Sequence, residues 1–231
     1  MEIQWVTVEP GKVFIGSDNR SILFGGVGPR HEVKIDYDFE ISYLPVDSET
    51  TEILLQNDNY HLASESEWTL AMEKGLISGN NVTEELSDKI RGSYWSKYCD
   101  GRPFIEDDWL MKVSRVWNSG VPKISLIPRA KKSEYFRLVR RNGPNIFDIV
   151  APQLPDSSDK SRLLFEEFLI SLIFGIIPSF LWAFFNASDG YILEGWLNLV
   201  FGGIFIGVFT VIFWRPRTKS WRIGNNCGSM K

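Results

Sequence analysis

The pattern of apolar and polar positions divides the chain into two regimes. From Met1 to about Arg141 apolar residues come in short runs broken by charges, prolines and glycines. From Phe168 to Phe185, and again from Trp196 to Trp214, they run without one Asp, Glu, Lys or Arg. At about 1.5 Å of rise per residue, each run is long enough as a helix to cross a hydrocarbon core of about 30 Å. Lipid obliges a backbone to satisfy its own hydrogen bonds, which a helix does, and a soluble helix of this length carries a polar face that these lack. The predicted element is a transmembrane hairpin over 163–214, turning between Asn186 and Gly195. Within it Gly175/Ser179 and Gly203/Gly207 place small residues four apart, a spacing that lets helices approach closely, and Pro178 predicts a kink. With no ionisable group in mid-membrane, the hairpin reads as an anchor rather than an ion or proton pathway.

Charge orients the hairpin. Its turn carries Asp189 and Glu194 and no basic residue, whereas Lys160 and Arg162 precede it and Arg215, Arg217, Lys219 and Arg222 follow. The positive-inside bias then places the N-terminal region and the tail, 215–231, in the cytoplasm, in a cell membrane. The segment Met1–Trp5 has neither the basic nor the apolar stretch of a signal peptide. Cys99 and Cys227 lie far apart in sequence and on the reducing side in this reading, so no disulfide is expected and no zinc-ligand spacing exists.

The first 141 residues amount to one domain, and 142–162, with three prolines and several turn formers, reads as a linker. Short alternating or apolar runs predict strands at Trp5–Val8, Val13–Gly16, Glu32–Asp36 and Tyr135–Val139. Ser48–Leu55 reads as a short helix. Ser64 and Glu67 form a capping-box pattern that predicts a helix over Glu65–Lys74, ending at Gly75, with Trp68, Ala71 and Met72 on one inward face. The fold class is therefore α+β.

These segments carry a resemblance. Val8-Glu-Pro-Gly-Lys-Val-Phe-Ile-Gly-Ser17 resembles the opening motif of the formylglycine-generating (sulfatase-modifying factor) domains. Gly28–Ile35, Phe39–Ile41 with Pro45-Val46, His61–Ala71, Asn81–Asp88, Arg91-Gly-Ser93 and Tyr135–Arg140 are similar to successive later motifs of that family, in the family's order. The resemblance implies a C-type-lectin-like α+β head with much irregular loop, ahead of the two-helix hairpin.

In the family's catalytic members, two cysteines bind copper(I) and convert a substrate cysteine in a Cys-x-Pro-x-Arg sequence to formylglycine; soft thiolates suit that ion. Here the matching stretch, Gly92–Cys99, offers one cysteine. Cys99 stands where the second copper ligand and catalytic thiol would be, and with one thiolate copper affinity is expected to fall steeply. The resemblance also implies structural calcium held by Asn81 and Glu84, hard oxygen donors of the required type, although both neighbouring family tryptophans are replaced, by Thr83 and Glu85. Only two histidines are present, so a histidine-bound iron is not expected.

A basic segment, Lys112–Arg141, holds nine Lys or Arg against Glu134. It suits anionic lipid head groups, an anionic partner or plain solvation. The net charge of −4 speaks against nucleic acid. Three functions follow. The preferred one is a membrane-anchored, non-catalytic module binding a protein or small ligand through loops around Trp95, Trp109 and Trp117. The alternatives are a copper-dependent cysteine oxidase and an accessory subunit of a membrane complex.

Overall fold

The computed structural model describes residues 3–19, 21, 23, 26–141, 147, 150–188, 190–213 and 220–224. It is a mixed α+β structure that divides into two compact units. One comprises 1–16, 27–156 and 220–231; the other comprises 17–26 and 157–219. The boundary differs from the one expected, because part of the predicted linker and part of the predicted tail belong to the head.

In the head, β1 (Trp5–Val8), β4 (Phe39–Ser42), β6 (Tyr60–Leu62) and β11 (Leu138–Arg141) form a four-stranded sheet in the order β1-β4-β11-β6. A second sheet, ordered β5-β10-β7-β8-β9, contains β5 (Val46–Asp47), β7 (Thr83–Ile90), β8 (Met111–Asn118), β9 (Val121–Pro128) and β10 (Tyr135–Phe136). The remaining pair, β2 (Gly11–Ile15) and β3 (His31–Ile35), is antiparallel. The β8–β9 hairpin went unread in the sequence. Its turn residues Ser119 and Gly120 have φ of 50° and 80°, the pair of positive values that a two-residue hairpin turn requires and glycine readily adopts. Pro122 and Pro128 are tolerated in β9 because it is the sheet's edge strand.

Helix α1 (Ser48–Leu54) is capped by Asp47, whose carboxylate accepts from the Thr50 amide. Helix α2 (Glu65–Glu73) begins at the expected capping box: Ser64 Oγ accepts the Glu67 amide at 3.1 Å and Glu67 Oε2 accepts the Ser64 amide at 2.8 Å. Trp68 and Ala71 are buried as predicted and Met72 is half-buried. The core joins Val8, Ile35, Phe39, Ile41, Trp68, Leu86, Trp117 and Val139 across all three sheets.

Charges tie these layers together. Glu84 of β7, fully buried, accepts Trp68 Nε1 at 2.8 Å, Trp117 Nε1 at 2.6 Å and Arg137 Nε at 2.6 Å. Arg137 also donates to the carbonyls of Ser42, Tyr43 and Ser78. Of the nine basic residues in Lys112–Arg141, five are engaged this way: Lys112 with Glu85, Arg115 with Glu65, Arg137 with Glu84, Arg140 with Glu40 and Arg141 with Glu67. The run is mostly internal wiring. Lys123, Arg129, Lys131 and Lys132 remain on the exposed surface.

The second unit holds two apolar helical spans, Lys160–Asn186 and Tyr191–Thr210, with mean hydropathies of 2.3 and 1.8. Only 17% and 22% of their apolar windows are covered by protein, which is unlike the buried core helices of a soluble fold. The first span consists of α3 (Lys160–Ser171), a π-helical turn (Leu172–Ile176) and α4 (Ile177–Asn186). Pro178 lacks an amide hydrogen, and the widened turn immediately before it absorbs the local mismatch. The second span lies in α5 (Tyr191–Phe213). The spans meet through glycine: a Cβ on Gly175 would lie 1.9 Å from the Gly203 carbonyl oxygen, and one on Gly207 would lie 2.7 Å from Ser171 Cα. Ser179, expected at this contact, instead donates to the Gly175 carbonyl at 2.9 Å.

Replacing Glu84 with Gln should leave Arg137 buried without a counter-charge and destabilise the head by about 3–5 kcal/mol. Urea unfolding of the full chain in mild detergent, followed by tryptophan fluorescence, measures this loss.

Candidate functional site

The loop that leaves β7 sets the site. Arg91–Cys99 folds back along the head, and 103–110 runs beside it, held where Lys89 donates its amide to the Phe104 carbonyl at 2.7 Å and Glu106 its amide to the Lys89 carbonyl at 3.0 Å. Segment 150–156, expected as free linker, covers the other side. Tyr98 and Gln153 form an antiparallel bridge, the Leu154 amide donates to the Lys97 carbonyl at 2.9 Å and the Cys99 amide to the Pro152 carbonyl at 2.7 Å. Ser96 Oγ donates to Asp156 at 2.7 Å. Alternating backbone groups of 96–99 would otherwise be left unpaired, and this added strand satisfies them.

Between these segments opens a cleft of about 420 Å³ lined by Arg91, Trp95, Phe104, Glu106, Asp108 and Asp156, among others. Glu106 accepts the Arg91 amide. The lining, which also includes Asp107, brings four carboxylates and one guanidinium to one opening beside two aromatic rings. Such a surface favours cationic groups by Coulomb attraction and by the negative faces of the rings. Trp95 packs edge-on against Trp221 at 6.0 Å between ring centres. The Trp221 backbone adds to β3, donating to the Arg30 carbonyl and accepting the Glu32 amide, each at 2.9 Å.

Behind the cleft lies a buried polar cluster. Lys97 is fully buried, donates to Asp88 at 2.8 Å and to the Arg102 carbonyl at 3.0 Å, and sits between the rings of Tyr94 and Phe104. Tyr94 donates to Glu65, which also accepts from Arg115 at 2.8 Å. Burial pushes the Glu65 carboxyl up to about 7, with Arg115 opposing the shift. Glu67 is also buried, which alone would raise it. Arg141 and the hydrogen bonds from Ser64 and Tyr37 outweigh that burial and hold it below the usual carboxylate range. His31, buried with Nδ1 2.8 Å from the Pro29 carbonyl, is pushed down to about 3 by desolvation.

The residues singled out in the sequence are dispersed. Trp95 lines the cleft. Trp109 is half-buried outside it, under Lys89 and Arg129 at 5.0 and 4.6 Å from its ring centre. Trp117 is 1% exposed and belongs to the core, so it has no face for a ligand. Asn81 sits exposed in a turn, with φ of 51°, and accepts the Ser119 amide. The other proposed calcium ligand, Glu84, has both oxygens committed to Trp68, Trp117 and Arg137. Among the described residues no group of three or more His, Cys, Asp or Glu is arranged to hold a metal.

Cys99 corrects another expectation. It is 1% exposed and disulfide-bonded, where a free thiol was read; the chain's other cysteine, Cys227, lies outside the described residues. Sequence separation concealed this because the chain after the hairpin returns to the head, beside β3 and Trp95. The cleft residues Phe104, Glu106 and Asp156 were also missed. The acidic run 106–108 was the one local signal, and nothing local marks Asp156 as its neighbour.

No family model and no curated protein matches this chain. Among solved structures it is similar to PvdO from Pseudomonas aeruginosa, at 13% sequence identity and a TM-score of 0.45, over 60% of this chain and 94% of that one.

The raised Glu65 carboxyl binds a proton more tightly folded than unfolded. Its contribution to stability is therefore complete below about pH 4.5 and is lost as pH rises through about 7. His31 has the opposite slope at acid pH, so the comparison must isolate Glu65. Relative to the wild-type chain, Glu65→Gln should gain about 3 kcal/mol in unfolding free energy between pH 4.5 and 8. Equilibrium denaturation across that range reads the difference.

Proposed function

We propose that this chain is a membrane-tethered binding module. Its head has the C-type-lectin-like architecture of the formylglycine-generating domains, and a cationic group on a protein or small ligand occupies the cleft beside Trp95. The architectural half of this reading is supported by where the family-like motifs meet: Trp68, Glu84 and Arg137 come from three of those motifs, and Trp68 and Arg137 both donate to Glu84. Residues that carry a resemblance and also hold each other in place form one functional unit of folding.

The single observation that carries the non-catalytic reading is the state of Cys99. A copper(I) oxidase needs soft thiolates open to metal, oxygen and substrate. Cys99 is buried and its sulfur is bonded to another sulfur, and Trp95, Ser96 and Lys97 beside it supply no soft donor. The adjacent cleft is open and acidic, which suits recognition better than redox chemistry.

The basic flanks of the hairpin and its base-free turn support a cytoplasmic head and tail. Disulfides persist in oxidising compartments and are reduced in the cytosol, so the Cys99 bond favours a head outside the cytosol where the charge bias favours one inside it, and labelling decides between them. After reduction, a membrane-impermeant maleimide should label the chain in inside-out vesicles and not in intact cells; the reverse pattern places the head outside.

Two assays on the full chain in detergent test the function. A Cys-x-Pro-x-Arg peptide incubated with copper(I) and oxygen should keep its thiol mass; an aldehyde product would make the chain an oxidase. A fluorescent lysine- and arginine-rich peptide should bind, with affinity falling about tenfold in Trp95→Ala and weakening as salt is added. Binding unchanged by that substitution moves the site elsewhere.

A further inference from the structure

The hairpin uses only one face of α5 on itself. Gly195, Leu199, Gly203 and Gly207, spaced four apart, are the buried positions of α5 among the described residues, and Gly203 and Gly207 meet Gly175, Ile176 and Ser171 at distances that leave no room for a side chain. Asn198 and Gly202 occupy the neighbouring face. Asn198 is exposed and makes no hydrogen bond among the described residues. Gly202 has nothing within 4 Å of where a Cβ would stand. The two line an apolar groove of about 380 Å³ with Pro178, Ser179, Trp182 and Ile206.

Asn198 is eight residues into the 20-residue span, about 4 Å from its middle along the helix. On the membrane-tethered reading proposed above, on which this inference rests, there is no water at that depth to bond a carboxamide, and an unsatisfied amide in hydrocarbon is costly. Ser179, another polar side chain in the groove's lining, spends its hydroxyl on the Gly175 carbonyl. A lipid chain filling the groove would leave the amide unpaired, whereas a polar side chain on another helix would not.

We propose that a second copy of this chain docks on the groove, with the two Asn198 carboxamides hydrogen-bonded to each other across a twofold axis. An asparagine amide is its own complement, with two donors and an acceptor in one plane. An isologous contact therefore satisfies both copies without any further group. Gly202, one turn further along, is the small residue that lets the partner helix approach. It is free to do so because the hairpin's internal seam is made by Gly203 and Gly207. The same helix thus carries an internal glycine face and an external asparagine–glycine face, and the head is presented in pairs.

The full chain, labelled with donor or acceptor dye and reconstituted into liposomes, tests this by energy transfer over a series of lipid dilutions. The wild type should dimerise. Asn198→Leu, which keeps the helix apolar and of similar volume, should weaken dimerisation about tenfold. Gly202→Leu, which fills the groove, should abolish it, and Ile204→Leu, at an exposed position outside the lining and about 160° around the helix from Gly202, should leave it unchanged. As a second reading, Gly202→Cys should cross-link between copies under mild oxidation and Ile204→Cys should not. A wild type that stays monomeric at every dilution, or an Asn198→Leu chain that dimerises as well as wild type, overturns the proposal. Cross-links in native membranes only to a different protein would also overturn it and assign the groove to that partner.

Discussion

Glu84 and Arg137 are the pair on which the head depends. The carboxylate on β7 and the guanidinium of the residue between β10 and β11 are fully buried, and neither is tolerable alone in that setting. Their geometry removes the difficulty: Glu84 takes the indole hydrogens of Trp68 and Trp117 as well as two guanidinium bonds, and Arg137 spends its remaining donors on three backbone carbonyls. Helix α2, the long sheet and the segments after β4 and before β7 are thereby fixed to one another. Apolar packing excludes water from this centre, and the centre in turn dictates which residues must face it.

The same economy explains why the head's chemistry is hard to find. Carboxylates that look available in sequence, such as Glu65, Glu67 and Glu85, are already paired with arginines or lysines from the last third of the head. What remains for a ligand is a cleft built from loop segments, where Glu106, Asp107 and Asp108 lie beside Trp95 and Phe104. A buried polar network keeps the loop in place from behind, and the 150–156 strand keeps it in place from the side.

The unit with the two apolar, membrane-length helices is held together differently. Apolar helices in lipid associate through close backbone approach and polar bonds rather than by expelling water. Gly175 against Gly203 supplies the first, and most of the remaining apolar surface is left uncovered. The π-helical turn ahead of Pro178 lets the first span continue despite the missing amide hydrogen.

Amino-acid order by itself determined the features that depend on neighbours in sequence. The two membrane-length runs, the capping box at Ser64 and the strands around Val13, Val33 and Phe136 follow from hydrophobic period and local hydrogen bonding. Both act over a few residues. Tertiary structure alone decided everything that depends on residues far apart meeting. It turned Glu84 from an expected calcium ligand into a core ion pair, moved Trp117 from the surface to the interior, and emptied most of the basic run into salt bridges. It also brought the chain beyond the hairpin back to β3 and Trp95, with Cys99 in a disulfide nearby. A side chain's residue type states what it can bond; only the fold states which partner reaches it first, because burial makes each pairing exclusive.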